Sequence, residues 1–206
     1  MQETLSTAIE VAHEELARHL DGAAQALAAG ANRRDVIQAI DGFLARASRH
    51  VSAVCEVVVP AAKEHLSEGE ARAHTYIEQC RGLERSLAQT KGRLYGSAQA
   101  ASVPWDDVWS KLRDEFVRTR KLEKSLVTEL AVHLPRTVGT DLAAVFHTVE
   151  VSSPTRPHPN LPHTGTFAHL FRLVWARADR FWDAAEGRII TGRPPTPPES
   201  ETRVAS

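Results

Sequence analysis

Apolar residues recur at spacings of three and four through most of the chain up to Pro135, the rhythm of an amphipathic helix and not the alternation of a half-buried strand. From Thr4 to Ala29 the stripe is Leu5, Ile9, Ala12, Leu16, Leu20, Ala23 and Leu27, and Gly30 supplies a stop. Asn32, with Asp35 three residues on, forms a variant capping box that opens a second helix. Its stripe is Val36, Ile40, Phe43, Ala47, Val54 and Val57, and Pro60 is expected to kink or end it. Ser67 followed by Glu70 is a Ser-x-x-Glu capping signature, and the helix it opens runs through Ile77, Leu83, Leu87 and Leu94 to Gly96.

Pro104, Asp106 and Asp107 mark the start of a fourth helix, whose apolar face is Trp105, Val108, Leu112, Phe116, Leu122, Leu126 and Leu130. A shorter fifth segment spans Asp141 to Val149. The β-branched run Val57-Val58-Val59 continues a helical pattern. Four long helices with short connections must run antiparallel to their neighbours. The predicted fold is therefore all-α, an up-and-down antiparallel four-helix bundle over residues 1–150. A Pro/His-rich linker over 151–165, a C-terminal amphipathic helix over 166–190 and a disordered tail over 191–206 are expected to follow.

Composition narrows the function classes. With 42% hydrophobic and 25% charged residues in 206, the chain has enough apolar material for one substantial core. A formal net charge of -1 gives no overall attraction to nucleic acid, and the mixed cluster Arg118 to Lys124 reads as a solvated face. No stretch reaches the ~18 to 20 apolar residues of a membrane span. Glu3 and Glu10 occupy the region where a secretory leader carries a basic flank and an apolar run, so a cytoplasmic location is expected. No phosphate-binding loop, HExxH pair, GxSxG elbow or zinc-finger spacing occurs, and a non-enzymatic role is expected.

Two histidines break the aliphatic character of the stripes. His13 lies between Ile9 and Leu16, and His50 continues the rhythm of Phe43, Ala47, Val54 and Val57, so both should point inward. Residues equidistant from a connecting turn share one height in an antiparallel pair. A first turn near Ala31 puts His13 level with Arg49 and His50, and a second near Ser67 and Glu68 makes Cys55 face Cys80 and brings His50 level with Arg85, beside Glu84. A layer of His13, His50, Glu84 and Cys80 is the kind of set from which a bundle builds an internal metal site. The other reading is structural, with neutral imidazoles satisfied by hydrogen bonds and the cysteines acting as small hydrophobes. With Cys55 facing Cys80 a redox-sensitive pair is conceivable, against which stand a reducing cytoplasm and the absence of an activating motif.

The stretch RHVSAVCEVVVP, Arg49 to Pro60, resembles the second helix of the hemerythrin-like (HHE) bundle domains, and the likeness extends over residues 5–134. The resemblance implies a bundle around a diiron centre that binds oxygen or senses oxygen, nitric oxide or oxidants. His13 and His50 match the histidines of the first and second helices. Val54 stands where the family places a bridging glutamate, and Glu56, two residues on, faces elsewhere. Cys80 and Glu84 fall near a histidine pair, while Arg118 and Glu123 have the offset of a histidine and a carboxylate, with arginine replacing imidazole.

The resemblance thus implies a reduced metal set of His13, His50, Cys80, Glu84 and Glu123. Two irons need bridging carboxylates and neutral imidazoles, so the pair should not be held. Arg118 or Arg120 turned inward toward Glu84 or Glu123 would stand where the metal charge was; the alternative has both arginines in solvent. A single metal on His13, His50 and Glu84 is a further alternative.

Two functional readings follow. The first is a non-enzymatic bundle without a resident cofactor, its diiron site largely lost, retained for interaction, regulation or binding of a small molecule. The second is an iron-binding sensor or carrier of oxygen, nitric oxide or peroxide. Outside the bundle, the aromatic face from Phe167 to Trp182 must be covered, by the bundle itself or by a partner or second copy. His158 and His163 read as parts of a connector.

Overall fold

The computed structural model describes residues 3–97 and 102–153. The aromatic helix Phe167 to Trp182, the tail and the linker from residue 154 onward lie outside the described residues. Five helices make up the described chain: α1 Leu5–Ala28, α2 Arg33–His65, α3 Gly69–Leu94, α4 Trp105–His133 and α5 Arg136–Ser152. No strand occurs among the described residues. Consecutive helices pack together from α1 to α4, and α4 returns against α1 to close the ring. The contacts are those of an up-and-down antiparallel bundle, with α5 laid over α1 and α2.

That arrangement explains the composition of α2, which touches all four other helices. Val51, Ala53, Val54, Cys55, Val57, Val58 and Val59 are all buried, because a helix packed on several sides has no wholly polar face. Core packing therefore overrides the modest helix propensity of its valines.

The turn chemistry is visible at several helix ends. Gly30 adopts φ 63° after α1, and the amide of Ala31 reaches back to the carbonyl of Ala26 at 3.2 Å. Asn32 caps α2, its Oδ1 accepting the amide of Asp35 at 3.0 Å. Gly96, at φ 77°, ends α3 in the same manner, with Ser97 donating to the carbonyl of Gly92 at 2.8 Å.

Two expectations need correction, and a third is narrowed. Of the kink or end expected at Pro60, the end does not occur, since α2 continues to His65. Pro60 is exposed, and on the outer side of the helix the backbone can bend away from the core to make room for the ring. Ser67 does not cap α3; Glu68 precedes it in the left-handed region at φ 55°, with no side-chain cap. The fifth helix is longer than its apolar pattern, starting at Arg136 directly after Pro135. Its first turn packs little apolar surface and left no periodic signal.

Close approach of backbones governs the α2–α3 turn. A Cβ added at Gly69 would lie 2.2 Å from the carbonyl oxygen of Ala62 and 2.9 Å from Cα of Lys63. Since both are backbone atoms, Gly69→Ala should force the helices apart and cost about 1–3 kcal/mol in urea denaturation. An unchanged midpoint would show that the turn opens without penalty.

No helix among the described residues is long and apolar enough to cross a membrane.

Candidate metal centre

Each rod of the ring sends one polar side chain to a common point: His13 from α1, His50 from α2, Tyr76 from α3 and Glu123 from α4. All four are buried, with Glu123 only 1% exposed. Nε2 of both imidazoles meets Oε2 of Glu123, His50 at 2.9 Å and His13 in a closer contact. The other carboxylate oxygen accepts the hydroxyl of Tyr76 at 2.5 Å. The two rings stand edge to face, with centroids 5.1 Å apart. His13, His50 and Glu123 each offer a ligand atom, all within 4.8 Å of one another. Among the described residues no second such group of three occurs.

From α5, Phe146 closes the outer side with its ring 5.7 Å from that of His50. Glu150, one turn further along, places Oε1 3.6 Å from Nδ1 of His50. A cavity of about 10 Å³ adjoins His50 and Glu123, lined by Leu16, Val51, Leu83 and Phe116 with Thr119 and Arg120. It has room for one water-sized species.

The charges in the cluster are set by burial and by the carboxylates. Burial alone would lower His50, but the charge and hydrogen bond of Glu123, joined by Glu150, push it up to about 10. For His13 burial outweighs Glu123, and its pKa falls below the ordinary 6.5. Glu123 would be raised by burial, yet the two imidazoles hold it well below the usual carboxylate range. Near neutral pH the metal-free cluster is therefore a carboxylate, an imidazolium and a neutral imidazole.

The structure brings together three of the residues singled out in the sequence, His13, His50 and Glu123. Cys80 lies outside that group, buried near Cys55 and Tyr76. Glu84 is buried on α3 but does not belong to the group either. The carboxylate beside the imidazoles comes from α4, because equal axial height fixes a layer without fixing which inward side chain points at the centre. Arg118 is not an inward cation: its side chain is 59% exposed and pairs with Glu115 at 3.3 Å. It occupies the outer face of α4, five residues and more than one turn before Glu123. Arg120 lines the small cavity instead.

Two histidines and one carboxylate, presented from three helices in a buried interior, form a donor set suited to a first-row divalent metal. Tyr76 on the carboxylate and Glu150 behind His50 are the outer partners that orient such ligands. Neither Tyr76 nor Glu150 was singled out in the sequence. No family model, no curated protein and no solved structure matches this chain.

Proposed function

We propose that this bundle is a metal-binding protein holding one divalent transition metal, iron(II) foremost, on Nε2 of His13, Nε2 of His50 and Oε2 of Glu123. The observation that carries this reading is the convergence of three ligand atoms within 4.8 Å, each from a different helix. The resemblance to hemerythrin-like bundles agrees at these three positions. It departs at Val54, wholly buried and without an oxygen to offer, so a second ion lacks a bridge. Glu123 moves the reading from a lost site to a site for one metal, since it supplies the carboxylate that Glu84 does not. Three protein ligands leave coordination positions free, and the cavity beside Arg120 suits a ligand of very few heavy atoms. The role that fits is sensing or handling a small oxidant.

A second reading is favoured by one observation, that Glu123 already accepts three hydrogen bonds in the metal-free cluster. In it the cluster is a polar lock, and the bundle serves as an interaction scaffold. Anaerobic titration with iron(II) and zinc(II), followed by metal analysis, separates the two. One metal per chain is expected, with affinity reduced about 100-fold in His50→Ala and Glu123→Gln. Glu84→Gln and Cys80→Ser should retain one metal. A wild-type chain without metal, or full retention in His50→Ala, would sink the metal reading and leave the polar lock.

A further inference from the structure

Behind the carboxylate lies a second chemical group that metal binding leaves unused. Cys80 on α3, one turn on from Tyr76, is buried with Cys55 of α2 close enough for the groups to act on one another's protons, and Tyr76 in turn donates to Oε1 of Glu123. Both thiols and the phenol are buried, Cys80 and Tyr76 completely. An unbroken chain of contacts therefore runs from a dithiol to a residue of the candidate metal centre. Thiols and a phenol are side chains readily oxidised by one electron, and here they stand in series in the buried interior.

We propose that Cys55 and Cys80 are an internal two-electron donor that reduces a peroxide at the metal through Tyr76, closing an interhelical disulfide. This rests on the reading of His13, His50 and Glu123 as a site for a redox metal. The balance is closed: hydrogen peroxide gains two electrons and its O–O bond breaks. The two thiols lose two electrons and two protons and form the Sγ–Sγ bond, and the protons leave with the peroxide oxygens as two waters. Tyr76 passes its phenolic proton to Glu123 Oε1 along the existing hydrogen bond as its electron departs, and regains a hydrogen from Cys80.

Burial decides why the relay is needed. Burial pushes the Cys80 thiol well above its ordinary range, so it stays protonated, and the thiolate is the form that attacks peroxide directly. Peroxide in solution should leave such thiols alone. With a metal beside Glu123, the oxidant is handled at the centre and only electrons and protons cross to the sulfurs.

The test loads the protein with iron(II) without oxygen, records metal content, and adds one equivalent of hydrogen peroxide. Thiol titration and intact mass are the readouts. In the loaded protein both thiols should disappear with a mass loss of two hydrogens, reversible by a reductant. The metal-free protein should keep its thiols over the same time. Tyr76→Phe, loaded to the same metal content as the wild type, should lose thiols at least about tenfold more slowly. Intact thiols in the loaded protein, equal rates in Tyr76→Phe, equal oxidation without metal, or oxygen added in place of hydrogen lost would each overturn the relay. A chain that takes up no metal refutes the metal reading and the relay with it, whereas bound metal with untouched thiols refutes the relay alone.

Discussion

Glu123→Ala is expected to destabilise the metal-free protein by about 3–5 kcal/mol, because it removes one partner of a buried charge pair and leaves the other behind. Glu123 accepts from His13, His50 and Tyr76, and alanine orphans all three donors at once. The imidazolium of His50 must then lose its proton or draw water into the interior. Glu150 cannot replace the lost carboxylate, since it lies at 3.6 Å on the opposite ring nitrogen. Glu123→Gln keeps an acceptor in place and should cost less than alanine, although its amide donors face groups that also donate. Single domains are stable by only about 5–15 kcal/mol, so the alanine variant should stand near the edge of unfolding. Urea denaturation of metal-free protein measures it, and a loss under about 1 kcal/mol would mean that water already reaches the cluster.

The same residue, named through the family resemblance and not through the apolar stripe, shows what the periodicity also held. Along α4 the buried positions include Phe116, Thr119, Glu123, Leu126 and Leu130, an unbroken rhythm of three and four. A stripe drawn through apolar residues alone takes Leu122, which is only partly buried, and steps past Glu123. On α3 the buried series is Ala73, Tyr76, Cys80, Leu83 and Leu87, and the apolar choice of Ile77 hides Tyr76 in the same way. His13 and His50 were legible because their neighbours on the stripe are unambiguous. Periodicity without regard to polarity would have found all four residues of the cluster. Glu150 and Phe146 were not legible by that route, since the buried surface of α5 is limited to Ala143 and Phe146 and sets no stripe. The long α2 was legible as a helix, but its passage through Pro60 depends on which side the ring faces, and that is a property of the packed bundle.

Stability and metal affinity should move in opposite directions as pH rises above 6.5. His50 has its folded pKa raised to about 10, so its contribution is complete below its unfolded value near 6.5 and is lost as pH climbs through 10. Glu123 has a depressed folded pKa; its contribution is present above the ordinary 4.5 and is lost as pH falls. His13 is also depressed, and below 6.5 the unfolded chain takes the proton first, which again weakens the fold toward acid. Metal-free protein should therefore be most stable near pH 6.5, with an alkaline loss on the order of several kcal/mol by pH 10. A metal requires the neutral imidazole of His50, so binding releases one proton and the apparent affinity should rise about tenfold per pH unit across this range. Urea midpoints of wild type and His50→Gln from pH 6.5 to 9, beside zinc(II) affinities from chelator competition, test both slopes. Parallel stability profiles for the two proteins would place the His50 proton outside the ion pair. Zinc affinity independent of pH would show that the imidazolium is not what the metal displaces.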